Sequence, residues 1–309
     1  MIKIEKKSIK NKPFFYLTEQ INIGSGYKKI QVYLGKNIPK DLGKYYDQLQ
    51  EKEVVAISDN ISDIFKLDKT LNLNEYEEIE KNRIKLKYLF KKLTKHREEI
   101  LWRKFAIRFI FESNAIEGSK LSEREVASIV KKKPKKKSEK KEIIEVYNSI
   151  KAFEIIKLGS FTLNQRKIIQ LHEMLTRGLD VERGYKKKNI VVNNKETIEA
   201  GKVRNSMAIL ITWWREQKKA KLHPFVLAAL FHSRFEYIHP FSDGNGRVGR
   251  LIYIWMLQEF GYGVILFESK NRRSYFSALD QADSNRPRKL YYHCIRAYKK
   301  TVDYLSKEN

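Results

Sequence analysis

Apolar and polar positions alternate in two regimes along this chain, and the change falls near residue 70. Residues 1 to about 36 carry short patches, Phe14-Phe15-Tyr16-Leu17 and Lys29-Ile30-Gln31-Val32-Tyr33-Leu34, on either side of Gly24-Ser25-Gly26. β-Branched and aromatic residues suit a pleated surface and the glycines permit positive φ, so the pattern predicts a β-hairpin. From about 74 the spacing becomes helical. Leu86, Leu89, Phe90 and Leu93 recur at three- and four-residue steps, as do Trp102, Phe105, Ala106, Phe109 and Ile110, which predicts one long amphipathic stretch ending near Gly118. Further helices are predicted at roughly 121–130, 141–158, 163–177, 205–218, 224–237, 246–260, 272–283 and 287–305. Between the third and fourth of these, Ile190-Val191-Val192-Asn193-Asn194 is β-branched and then turn-forming, between Gly184 and Gly201, and reads as a short hairpin or flap. The expected architecture is mainly α: a β-rich N-terminal lobe and linker over 1–73, then a helical region over 74–309 with one β-flap.

Composition narrows what such a chain does. Its 309 residues are 42% hydrophobic, enough to fill a sizeable core. No run of eighteen uncharged apolar residues occurs, and Met1-Ile2-Lys3-Ile4-Glu5 lacks the apolar stretch of a signal peptide, so a cytoplasmic protein without a membrane partner is expected. The single cysteine, Cys294, excludes an internal disulfide framework and reads as a small buried hydrophobe. Sixty-three Lys and Arg against 37 Asp and Glu give a net charge of +26, which attracts nucleic acid, anionic lipid or acidic proteins. Lysines spread along the whole chain account for the excess as well as a specific interface does. The densest block, Lys131-Lys132-Lys133-Pro134-Lys135-Lys136-Lys137, has no interleaved aromatic for a base to stack on and is expected to be a solvated, mobile loop.

The chemistry concentrates in His239-Pro240-Phe241-Ser242-Asp243-Gly244-Asn245-Gly246-Arg247-Val248-Gly249-Arg250, a polar segment between two apolar helical stretches. Gly244 and Gly246 let successive N–H groups face inward where the next helix begins, which makes an anion cradle. Asp243 is a hard oxygen ligand beside it, suited to Mg²⁺ shared with phosphate oxygens. Arg247 and Arg250, three apart, are expected on nearly the same helix face and can grip phosphates by forked hydrogen bonds. His239 has a reference pKa near neutrality and can take a proton from an attacking hydroxyl. Singly, each residue has an ordinary structural use; together they describe hydroxyl attack on a metal-bound nucleotide phosphate.

The segment resembles the signature of the Fic (Doc/Fic-domain) family, His-Pro-Phe-x-Asp/Glu-Gly-Asn-Gly-Arg-x-x-Arg, with every specified position filled. The resemblance implies a helical Fic fold over roughly 105–285 and transfer of AMP from ATP to a Ser, Thr or Tyr hydroxyl of a target protein. It implies His239 as base, Asp243 as Mg²⁺ (or Mn²⁺) ligand, Gly244-Asn245-Gly246 as anion hole, and Arg247 and Arg250 on the ATP phosphates. Ile190-Val191-Val192 resembles the family's flap, which aligns an extended target segment by backbone pairing. Asn271 and Tyr275 stand where relatives line the adenine pocket. Upstream, Ser113-Asn114-Ala115-Ile116-Glu117-Gly118 resembles the inhibitory motif of the subclass with an N-terminal brake, which implies that Glu117 holds Arg250 away from the γ-phosphate. Phosphate transfer, removal of AMP, or a nucleic-acid-binding regulator retaining a Fic domain are the alternatives, and relatives admit a homodimer.

Overall fold

The computed structural model describes residues 2–131, 140–192 and 195–309. Three antiparallel strands come first, β1 (Lys3–Ile9), β2 (Lys12–Asn22) and β3 (Tyr27–Gly35), in the order β1-β2-β3. The tight β1–β2 turn uses Lys10 and Asn11 at φ 48° and 58°. The second hairpin is the one the sequence predicts; β1 is an addition. Its sequence, KIEKKSI, is mostly charged because it forms the sheet's edge, so no apolar alternation marks it.

Helices α1 (Gly43–Ser58) and α2 (Ile61–Ile64) follow, within the stretch expected to be linker. The inner face of the sheet (Leu17, Ile21, Ile30, Val32, Leu34) packs on Leu49, Ala56 and Ile57 of α1 and on Ile84 and Tyr88 of α3 (Leu73–Lys92), forming a small second core. At its edge Lys87 of α3 donates to Glu19 at 2.7 Å and to Glu53 at 2.7 Å, tying strand, helix and helix together.

The predicted single long helix is two, α3 and α4 (Lys95–Ile116). The break is local chemistry: Leu93 turns extended, and the Thr94 hydroxyl accepts from the Arg97 N–H at 3.3 Å to cap a new helix. Apolar periodicity continues across the break because both helices face the same core. The remaining helices lie within a few residues of the expected spans: α5 (Glu123–Lys131), α6 (Lys141–Lys157), α7 (Gln165–Leu175), α8 (Val203–Lys219), α9 (Pro224–Ile238), α10 (Asn245–Glu259), α11 (Arg272–Asp283) and α12 (Arg288–Glu308). The flap is a two-stranded piece, β4 (Val191–Val192) and β5 (Lys195–Glu196). The lysine run at 132–137 and the flap's predicted turn residues 193 and 194 lie outside the described residues.

Two neighbouring helices, α9 and α10, form the centre. Pro224 opens α9 with its φ already helical, and the helix then buries Phe225, Leu227, Phe231, Phe235 and Ile238. Helix α10 buries Leu251, Ile252, Ile254, Trp255 and Leu257. Cys294 is buried in α12, as expected of a small hydrophobe. Among the described residues no helix is long and apolar enough to cross a membrane.

Candidate active site

The segment joining α9 to α10 is fixed by its own side chains. α9 ends at His239, whose backbone is left-handed at φ 49°, ψ 63°. That conformation is uncommon for a non-glycine residue, although histidine is among those that adopt it more often. The Asn245 side chain bonds the Phe241 main chain twice, accepting from its N–H at 2.9 Å and donating to its carbonyl at 2.8 Å. Phe241 in turn stacks face to face on His172 of α7, with centroids 3.8 Å apart, and His172 Nε2 lies 3.0 Å from the Asp243 carbonyl oxygen. Burial pushes the His172 ring down to about 4, so it is neutral and donates that hydrogen bond.

These contacts hold the start of α10 against a cavity of about 610 Å³, lined by His239, Asp243, Gly244, Asn245, Gly246, Arg250, Tyr275 and Glu117 together with flap residues Val192, Lys195 and Glu196. Gly244, the N-cap at φ 81°, offers no side-chain cap, so the first-turn N–H groups of α10 stay available to an anion. The Asn245 amide is spent on Phe241, which leaves that residue only its main chain for the cradle.

Glu117 fills the cradle. It follows the last turn of α4, where Gly118 at φ 102° ends the helix. Arg250 Nη2 donates to Glu117 Oε1 at 2.7 Å and to the Ser113 carbonyl at 2.8 Å, and Arg250 Nε donates to Ser113 Oγ at 2.9 Å. A Cβ placed on Gly246 would collide with Glu117 Oε1. The guanidinium is 1% exposed, and among the described residues its Nη1 has no hydrogen-bond partner.

Arg247 departs from the expected arrangement. It does not line this cavity; Nη1 pairs with Glu145 of α6 at 3.0 Å and Nη2 lies 3.6 Å from Asp243. Its neighbourhood is a second cavity of about 220 Å³, which shares Glu117 and Asp243 with the first. Because α10 is packed on both α4 and α6, two arginines a turn apart meet different carboxylates. Asn271 is likewise outside, in a small cavity with Glu268 and His293, and donates to Glu268 at 3.3 Å. Tyr275 does reach the wall, yet its hydroxyl lies 2.6 Å from His232 Nε2, so the ring is what it presents.

Burial, and next the Lys186 charge, push the His239 ring down to about 4, against the pull of the Glu236 carbonyl, Glu117 and Asp243. The ring is therefore neutral at pH 7. Glu236, three residues earlier and on the cavity wall, has its carboxyl raised to about 8 by burial, with Glu117 and Asp283 adding to the rise and Arg250 opposing it. Sequence alone gives no sign of Glu236, Glu145 or Lys186, since a lone charged residue in a helix or loop ordinarily faces water. His172 is similar: only its partner Phe241, distant in sequence, marks it.

Residues 162–257, spanning the flap and this segment, match the model of the Fic/DOC family. The chain carries a Fic/DOC family domain. It is similar to the protein adenylyltransferase Fic of Nematostella vectensis, 29% identical over 63% of this chain and 47% of that one. It is also similar to a probable protein adenylyltransferase of Aquifex aeolicus, 32% identical over 53% of this chain and 52% of the other. The chain thus spans about half the length of these curated relatives. In structure it resembles a Fic-domain-containing signalling protein of Bacteroides thetaiotaomicron, with TM-score 0.67, 22% identity, and coverage of 75% of this chain and 96% of that one. It also resembles a Fic family protein of Desulfovibrio desulfuricans, with TM-score 0.57 and 26% identity over 74% of each. The fold around α9 and α10 is therefore the Fic fold.

Proposed function

We propose that this Fic protein transfers AMP from ATP to a hydroxyl side chain of a target protein and that Glu117 restrains the reaction. The observation that carries the proposal is the occupation of one anion cradle by one carboxylate: Glu117 bonds Arg250 and fills the space over Gly246. A triphosphate and this carboxylate would compete for the same guanidinium and the same space over Gly246. The similarity to proteins known as protein adenylyltransferases supports AMP as the transferred group.

The residues present fit a magnesium nucleotide. Uncapped N–H groups and the unpartnered Arg250 Nη1 suit phosphate oxygens. The half-exposed Asp243 carboxylate beside them suits Mg²⁺, which commonly takes one or two carboxylates with phosphate and water completing its shell. Among the described residues no cluster of three acidic, His or Cys side chains forms an all-protein metal cage, in keeping with that mode. When bound, the metal would screen the phosphate charge and steady its geometry.

His239 would act as base. Its ring, kept neutral by burial and by the Lys186 charge, can take a proton on a ring nitrogen. The target's hydroxyl oxygen would bond the α-phosphorus as the bond to the departing pyrophosphate breaks, and the hydroxyl proton would pass to the ring. Val191 and Val192 of the flap offer a strand edge beside the cavity for an extended target segment, with Val191 61% exposed.

The decisive experiment supplies ATP labelled at the α-phosphate, and separately at the γ-phosphate, to the wild type, His239→Ala and Glu117→Gly. Label from the α-position appearing on protein, strongest in Glu117→Gly and absent in His239→Ala, is the expected result. Label only from the γ-position would replace AMP transfer with phosphate transfer, and no label in any form would overturn the enzyme reading.

A further inference from the structure

The His239 turn is gripped on both sides by one residue of the loop that leads into the flap. The main-chain N–H of Lys186 donates to the Pro240 carbonyl at 2.9 Å, just after His239. Its Nζ approaches the Ile238 carbonyl at 3.4 Å, just before His239, and donates to Thr197 Oγ1 at 2.6 Å. Thr197 then closes the base of the flap, because its N–H and its hydroxyl both donate to the Ile190 carbonyl, at 3.2 and 2.7 Å. A single side chain therefore joins the flap's base to the strained turn that presents the imidazole.

Lys186 is 3% exposed, and among the described residues no carboxylate lies within ion-pair distance of it. Burying an ammonium without a counter-charge is costly, so a fold that retains one is expected to use the charge. We propose that Lys186 is a positioning residue for His239: it couples the flap to the turn and sets its positive charge against protonation of the ring. The proposal rests on the AMP-transfer reading, because it is that reading which makes His239 the base. Lys186 takes both carbonyls that flank the left-handed His239. Burial lowers the Lys186 ammonium to about 8, which leaves it charged at pH 7. The other groups facing the ring, the Glu117 and Asp243 carboxylates and the Glu236 carbonyl, favour the imidazolium and oppose the lysine.

The test has two independent readouts. In the otherwise unmodified chain, the His239 ring is titrated by NMR, with its signal assigned by its loss in His239→Ala. Lys186→Met should raise the midpoint by about one unit, the order of magnitude of one nearby charge at an intermediate dielectric. Lys186→Arg should bring it back. In the Glu117→Gly background, the acid limb of kcat/KM should move up by the same amount in Lys186→Met. Thr197→Val keeps the charge but cuts the link to the flap, so it should raise KM for the protein target without moving the ring titration. An unmoved His239 midpoint in Lys186→Met, or a loss of rate equal at every pH, overturns the proposal. If Lys186→Met fails to fold, the Thr197→Val and Lys186→Arg pair decides: a ring midpoint that shifts with Thr197→Val removes the lysine charge as the cause. Failure of Glu117→Gly to transfer label would defeat the AMP-transfer reading, and the ring titration would still decide the role of Lys186.

Discussion

Glu117 Oε1 accepts from Arg250 Nη2 at 2.7 Å, and the same carboxylate oxygen fills the space above Gly246 at the first turn of α10. One side chain thus takes the cationic part of an anion site and lies over its main-chain part. Among the described residues the guanidinium donates three hydrogen bonds, two of them to Ser113, and those two do not depend on Glu117. Glu117→Gly is therefore expected to raise α-label transfer about ten-fold or more, equivalent to about 1.4 kcal/mol of barrier. Unfolding stability should fall by about 1–3 kcal/mol, since the buried Arg250 guanidinium loses its carboxylate while its Ser113 partners remain. Equal transfer by the two folded proteins would place the restraint elsewhere.

Gly246→Ala tests the cradle itself. Its Cβ would collide with Glu117 Oε1 and come within 2.8 Å of Arg250 Nη1, so it obstructs carboxylate and phosphate alike. Calorimetric titration with ATP should show at least about a ten-fold loss of affinity in the Glu117→Gly background, the equivalent of about 1.4 kcal/mol. Undiminished binding would mean that the triphosphate does not lie over Gly246.

His172→Phe should keep the stack on Phe241 while deleting the hydrogen bond to the Asp243 carbonyl. An acceptor left unpaired at a partly buried position costs about 1–3 kcal/mol. The expected outcome is a loss of stability on that scale by denaturant titration, accompanied by slower label transfer in the Glu117→Gly background. A fully stable variant would show that the Asp243 carbonyl finds another donor.

Glu236 predicts a pH dependence with a definite sign. Its folded carboxyl is raised to about 8, above the reference value of 4.5, so the folded state holds a proton that the unfolded state has lost. The stability this contributes is complete below about 4.5 and falls away as pH rises toward 8. Glu236→Gln stays neutral throughout, so it should melt higher than wild type at pH 8, by roughly 2–4 °C for each kcal/mol recovered, and alike at pH 4.5. A constant difference between the two proteins across that range would remove the buried carboxyl as its source.

Much of the fold was legible because its signals are local. Apolar spacing located eight helices from α5 to α12 within a few residues, and Gly118 marked the end of α4. The break at Thr94 was missed because a cap interrupts the hydrogen-bond ladder without interrupting the apolar face. Strand β1 was missed because an edge strand need not alternate apolar with polar.

The site divides in the same way. By itself the sequence determined the residue types from His239 to Arg250, the glycines that free the backbone, and a glutamate one helical turn after Ser113. The family resemblance already pointed Glu117 at Arg250; only the tertiary structure decided that Arg247 meets Glu145 instead, that Asn271 faces another cavity, and that His172, Glu236 and Lys186 surround the turn. The reason is that spacing along a helix fixes a side chain's direction but not what lies there. Whether a charge is paired, stranded or neutralised depends on segments that packing brings together, and these partners stand as far as 133 residues apart in the chain.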